Sequence, residues 1–167
     1  ELTVTGPKKI TGLSKLGNIV IIEFDDRTSY VVGRNLYDEL KAKGEESSDT
    51  EYMITSRKMT DAEMEAYKEE AAATGTMIIG SLALYSACQG ELENLTDEKI
   101  HEAAISSIHS GEQDNMDAIA YGENAIRLMA DIKKFADDPD VTDEEFNEAM
   151  KNSKYYDACI EYAKGQL

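Results

Sequence analysis

One local phrase recurs three times in the C-terminal two thirds of the chain and sets where helices begin. It occurs as Met59-Thr60-Asp61-Ala62-Glu63-Met64, as Leu95-Thr96-Asp97-Glu98-Lys99-Ile100 and as Val141-Thr142-Asp143-Glu144-Glu145-Phe146. In each, Thr suits the N-cap, where its hydroxyl accepts an otherwise orphaned backbone N–H, and Asp follows where the helix dipole favours negative charge. Met59 with Met64, Leu95 with Ile100 and Val141 with Phe146 form hydrophobic staples, and Glu63 and Glu145 add the acid of a capping box. The phrases are 36 and 46 residues apart, but the segments beyond them do not resemble one another. They are recurring capping chemistry, not a solenoid repeat.

The first third has a different pattern. Asn18–Phe24 is rich in β-branched residues, Asp25-Asp26-Arg27 is a turn, and Thr28–Val32 is β-prone again, which together predict a hairpin. Leu2–Thr5 predicts a strand ending at a Gly6-Pro7 turn, with Lys8–Leu13 and Tyr52–Thr55 as further strands. A short helix is expected at about Leu36–Lys43, capped by Asn35 and closed by Gly44, with Leu36 and Leu40 facing the sheet. Gly44–Thr50 has nothing to bury and is expected to be the first site of proteolysis.

The remainder predicts about five helices. One runs from Asp61 to near Thr74-Gly75. A nearly all-apolar one then reaches Gln89 and is expected to be the central, most buried helix. Others cover Asp97–Ser110, Met116–Ala136 and Asp143–Lys164, with Gly111–Asn115 as a loop. The expected fold class is α+β: a small β-rich region with one short helix at residues 1–58, followed by a helical bundle at residues 59–167.

Charge separates the same two regions. Residues 1–58 carry 9 Lys+Arg against 10 Asp+Glu, a net of −1, whereas residues 59–167 carry 8 against 24, a net of −16. Such a field repels nucleic acid and anionic lipid and attracts basic protein surfaces. The densest part is Asp137, Asp138, Asp140, Asp143 and Glu144. Asp143 has a helix-dipole role, so Asp137, Asp138, Asp140 and Glu144 are the better candidates for partner contact. Glu65 and Glu69, like Glu144 and Glu148, place like charges at i,i+4, which costs a few tenths of a kcal/mol per pair, roughly. They therefore need a reason beyond helix stability, and Glu65 and Glu69 join the candidate partner-binding residues. Lys8, Lys9, Lys15, Arg27 and Arg34 offer only a local basic face.

No catalytic motif is visible: there is no Walker loop, GxGxxG, GxSxG or HExxH. His101 and His109 lie about 80° and roughly 12 Å apart on one helix and share no metal. Ser106, Ser107 and Ser110 beside them are best explained as a solvated helix end. Asp138–Glu145 lacks the EF-hand Gly and Glu, holding Asp143 and Ala149 at those positions, so no calcium loop is expected. No cofactor and no metal site follow. Tyr155, Tyr156 and Tyr162 on the last helix are core-edge residues before they are a contact patch. Cys88 and Cys159 lie in apolar patterns and are expected as buried free thiols, which points to a reducing, cytoplasmic setting. Met77–Cys88, the longest apolar run, is too short and mixed to cross a membrane, and Glu1–Gly6 has no signal-peptide character.

The leading expectation is a non-enzymatic, acidic interaction protein. It would inhibit by binding the basic surface of a nuclease or another nucleic-acid-binding protein, whose Lys and Arg pair with carboxylates as they do with phosphates. Antirestriction and anti-CRISPR proteins have this general character of small, acidic, motif-poor chains, a likeness of composition and not of any motif. One alternative is an adaptor or assembly subunit that docks through apolar surfaces. The other is an enzyme with no recognisable motif. Direct nucleic-acid and membrane binding are not expected, and the sequence sets no oligomeric state.

Overall fold

The β-branched run becomes β2 (Ile19–Phe24), inside an antiparallel sheet with β1 (Thr3–Leu16), β3 (Ser29–Val32) and β4 (Glu51–Ser56) in the order β3-β2-β1-β4. In this computed structural model, which describes residues 1–108 and 114–167, helices follow the sheet, an α+β fold. The chain forms two compact units, Glu1–Ala71 and Ala72–Leu167.

In the first unit β1 is one long strand, because Gly6-Pro7 is a ladder irregularity and not a turn. Pairing with β4 shifts register between Thr5 and Lys8 and then resumes at Lys8↔Tyr52. Proline is tolerated where such an irregularity leaves its nitrogen out of the ladder. The first half of β1 pairs with β4, and the second half pairs with β2 from Ile10↔Phe24 to Leu16↔Ile19. Alternation along β2 buries Val20, Ile22 and Phe24. Ile10, Ile22, Phe24 and Leu40 form the core, with Tyr30, Val32, Tyr52 and Ile54 half-buried around it.

α1 (Arg34–Ala42) starts two residues earlier than expected, with Gly33 and not Asn35 as its N-cap. Tyr37 and Leu40 face inward while Leu36 is exposed, so an i,i+3 pair replaces the expected i,i+4 pair. Gly44 does close the helix in the left-handed region, at φ 68°. A short 3-10 turn follows at Glu45–Ser47, where Glu45 accepts a hydrogen bond from the Tyr52 hydroxyl.

α2 (Asp61–Cys88) is continuous, without the expected break at Gly75. A Cβ at Gly75 would meet nothing within 4 Å. The residue thus weakens the helix by about 1 kcal/mol relative to Ala, and its Ala-rich surroundings carry the helix through. The uninterrupted helix also revises the apolar run: α2 is long and apolar enough, by length and composition, to cross a membrane, a property that core helices share.

In the second unit the central element is not α2 but α4 (Met116–Ala136), whose Ala125, Ile126, Leu128 and Ile132 are fully buried. α3 (Asp97–Ser107), α5 (Asp143–Asn152) and α6 (Tyr156–Gly165) pack on it. α2 buries a stripe of mostly small residues there, Ala72, Thr76, Gly80, Ala83 and Ala87. Its opposite face stays exposed at Ile78, Leu82 and Tyr85, by 57%, 71% and 64%. An all-apolar pattern does not say which face is covered, so it overstated the burial of this helix.

The expected last helix is broken into α5 and α6 at Ser153, whose backbone is extended at ψ 138°. Ser153 Oγ donates to Asp131 on α4 (2.8 Å) and accepts from the Tyr155 N–H (3.3 Å). Side-chain bonding of this kind competes with the helix ladder. The break lets Met150, Tyr156, Cys159 and Ile160 all reach the core. α3 is described as far as its C-cap Ile108; the expected continuation through His109 and Ser110, and residues 111–113 of the expected loop, lie outside the described residues.

Candidate interaction surface

The Thr142 capping box builds the start of α5. Thr142 Oγ1 accepts the Glu145 N–H (3.1 Å) and donates to Glu145 Oε1 (3.0 Å), which also accepts the Thr142 N–H (3.4 Å). The same chemistry serves α2, where Thr60 and Glu63 exchange bonds of 2.9 and 3.2 Å, and α3, where Thr96 accepts from the Lys99 N–H.

Immediately before this box, the α4–α5 connection displays three of the candidate carboxylates, and Glu144 follows in the first turn of α5. Asp137 is the C-cap of α4, and its Oδ2 lies 2.9 Å from Lys133 Nζ, so part of its charge is neutralised. Asp138 Oδ1 accepts the Asp140 N–H (2.9 Å) and holds the turn. Asp140 and Glu144 are exposed. The connection and the first turn of α5 therefore gather Asp137, Asp138, Asp140 and Glu144 on one short segment, with Asp140 and Glu144 the most available.

Glu65 and Glu69 lie on the part of α2 that belongs to the first unit; Glu65 is exposed and Glu69 half-buried. The six candidates are thus divided between the two units. Residues 72–167 carry 7 Lys+Arg against 19 Asp+Glu, a net of −12, and residues 1–71 carry 10 against 15, a net of −5, so the helical unit has the larger share of the charge.

The tyrosines of α6 have core-edge roles. Tyr156 is buried, and Tyr162 stacks on Tyr121 of α4 with ring centroids 4.7 Å apart. Tyr121 in turn shares a 2.9 Å hydrogen bond with the buried Thr76. Cys88 and Cys159 are buried free thiols; Cys88 Sγ donates to the Leu84 carbonyl (3.2 Å), and burial pushes the Cys159 thiol up to about 12. His101 pairs with Glu123 on α4 at 3.5 Å.

Three features escaped the sequence reading. Lys8, counted in the local basic face, is sequestered: Nζ lies 2.9 Å from Asp26 and donates to Thr28 Oγ1 (2.9 Å) and the Tyr30 hydroxyl (3.2 Å). Hydrogen bonds from Thr28 and Lys8 hold Asp26 down at about 2, and the Asp26 partner raises Lys8. The second feature is the exposed apolar stripe of α2, whose signal is that residues 71–90 contain no charged side chain. The third is a partly open apolar cavity of about 590 Å³ in the first unit. It has no sequence signal, because alternation marks residues that face inward but not how completely they fill the interior.

No protein-family model matches the chain, and no curated protein or solved structure shows significant similarity to it.

Proposed function

We propose that this protein is a non-enzymatic interaction protein whose acidic helical unit binds a basic, nucleic-acid-handling protein and competes with its nucleic acid. The observation that carries this reading is the net −12 on a packed helical unit, with Asp140 exposed on the α4–α5 connection and Glu144 exposed in the first turn of α5, which the Thr142 capping box anchors. Carboxylates on a rigid support pair with Lys and Arg without first being ordered, which favours fast, salt-sensitive association. A reducing, cytoplasmic setting belongs to the same proposal, supported by two free buried thiols.

The test is capture from a host lysate on immobilised protein, followed by kinetics on what is captured. The reading expects a nucleic-acid-binding protein, released by added duplex DNA. Replacing Asp137, Asp138 and Asp140 with Asn and Glu144 with Gln leaves the Thr142 cap in place. It should slow association more than it speeds dissociation, by an amount that shrinks as salt rises. Capture that is flat from low to high salt and indifferent to the four substitutions would overturn it.

A second reading, an adaptor or assembly subunit, is favoured by the exposed Ile78, Leu82 and Tyr85 on α2. It predicts salt-insensitive association that Leu82→Ser abolishes.

A further inference from the structure

The sheet of the first unit does not fill its own interior. Ile10, Ile22, Phe24 and Leu40, each nearly inaccessible, line the cavity and form its floor. Val32 on β3 and Ile54 on β4, both half-buried, also line it. A space of about 590 Å³ is within the range of small-molecule sites, which are concave, mostly apolar and largely pre-formed. Its floor consists of core residues, so it is a recess into the unit and not a flat docking face.

Charge narrows what fits. The lining has two charged side chains, Arg57 and Glu63. They neutralise each other through a two-bond ion pair, Nη1 to Oε1 at 2.6 Å and Nη2 to Oε2 at 2.9 Å. Glu63 also accepts the Thr60 N–H, so it has a second reason to stay in place. The pair leaves no net charge in the lining to favour an anionic or a cationic ligand. An uncharged ligand leaves the pair intact and gains by removing apolar wall from water.

We propose that this cavity binds an uncharged, largely apolar small molecule. The site belongs to the first unit and the acidic α4–α5 connection to the second, and the proposal stands or falls independently of the electrostatic reading.

The experiment titrates the full chain with the uncharged fluorophore N-phenyl-1-naphthylamine and, in parallel, with the anionic 1-anilinonaphthalene-8-sulfonate. The expected result is saturable binding of the uncharged probe, one per chain, with the sulfonate weaker by about 10-fold or more. Val32→Phe and Ile54→Phe each add bulk to the lining from a different strand. In variants that keep the wild-type circular dichroism and a cooperative melt, either one should weaken the uncharged probe by about 10-fold or more. Leu82→Ser, which removes the centre of the exposed α2 stripe, should leave that binding unchanged. Absence of saturable binding, tighter binding of the sulfonate, or loss with Leu82→Ser but not with the folded filling variants would overturn the proposal.

Discussion

Gly80 of α2 lies against the backbone of Ala125 on α4 so closely that a Cβ at position 80 would sit 2.5 Å from the Ala125 carbonyl oxygen and 2.6 Å from Met129 Cγ. The contact joins two helices of the second unit through backbone, which cannot swing aside as a flexible side chain can. Gly80→Ala gains helix propensity of about 1 kcal/mol but forces the helices apart, at a cost of 1–3 kcal/mol or more, roughly, so the net change should be destabilising. Gly75→Ala, five residues earlier in open space, keeps only the propensity gain and should stabilise by about 0.5–1 kcal/mol. Urea unfolding followed by circular dichroism should move the two variants in opposite directions.

Thr142→Ala removes the oxygen that accepts the Glu145 N–H and the hydroxyl that Glu145 accepts in return. Loss of such a cap costs about 1 kcal/mol. Asp140→Asn, two residues away and exposed, should stay within about 0.5 kcal/mol of wild type. Equal midpoints for the two variants in chemical denaturation would show that the box does not support α5.

Glu63 is held down at about 2, first by its hydrogen bonds from Arg57 and then by the Thr60 N–H. A carboxylate whose value is lower folded than unfolded binds fewer protons in the native state. Its contribution is therefore complete above the ordinary carboxylate range and disappears as pH falls through about 2. The melting temperature of Glu63→Gln should lie below wild type at neutral pH, and the gap should close as the solution is acidified toward that value. A gap that stays constant through the acid range would exclude the ion pair as its source.

Cys159 is fully buried, and its thiol is pushed up to about 12 by desolvation. The reactive species is the thiolate, so a disulfide reagent near pH 8 should label Cys159 only at the rate of unfolding. Stopped-flow labelling against denaturant-jump unfolding checks this. Rapid native labelling would mean that α6 opens independently of the rest of the unit.

Legibility followed the range of the interactions. The three Thr caps were readable because donor, acceptor and staple lie within six residues of one another. The β2–β3 hairpin was readable for the same reason, and Met116–Ala136 was readable because its apolar period runs unbroken. Where sequence reading failed, a long-range contact overrode a local preference. Gly6-Pro7 did not end a strand, since β1 goes on to pair with β4 and β2, and Ser153 broke a helix partly through its bond to Asp131, 22 residues away. Gly75 is different: it did not end a helix because its Ala-rich neighbours along the chain carry α2 through it. The carboxylates of the α4–α5 connection were legible as charge, but the Lys133 partner of Asp137 and the turn-holding role of Asp138 were not.

By itself, the sequence determined the α+β order of elements, the helix starts and the concentration of negative charge in the helical region. These depend on residues close along the chain or on their sum. Tertiary structure decided that α4 and not α2 is central, and that Lys8 is sequestered by Asp26, Thr28 and Tyr30. It also decided that the first unit leaves an apolar cavity lined in part by Ile22 and Phe24. Each of these depends on which faces meet across distant segments and on how fully they pack, and an apolar pattern specifies a buried face without specifying what covers it.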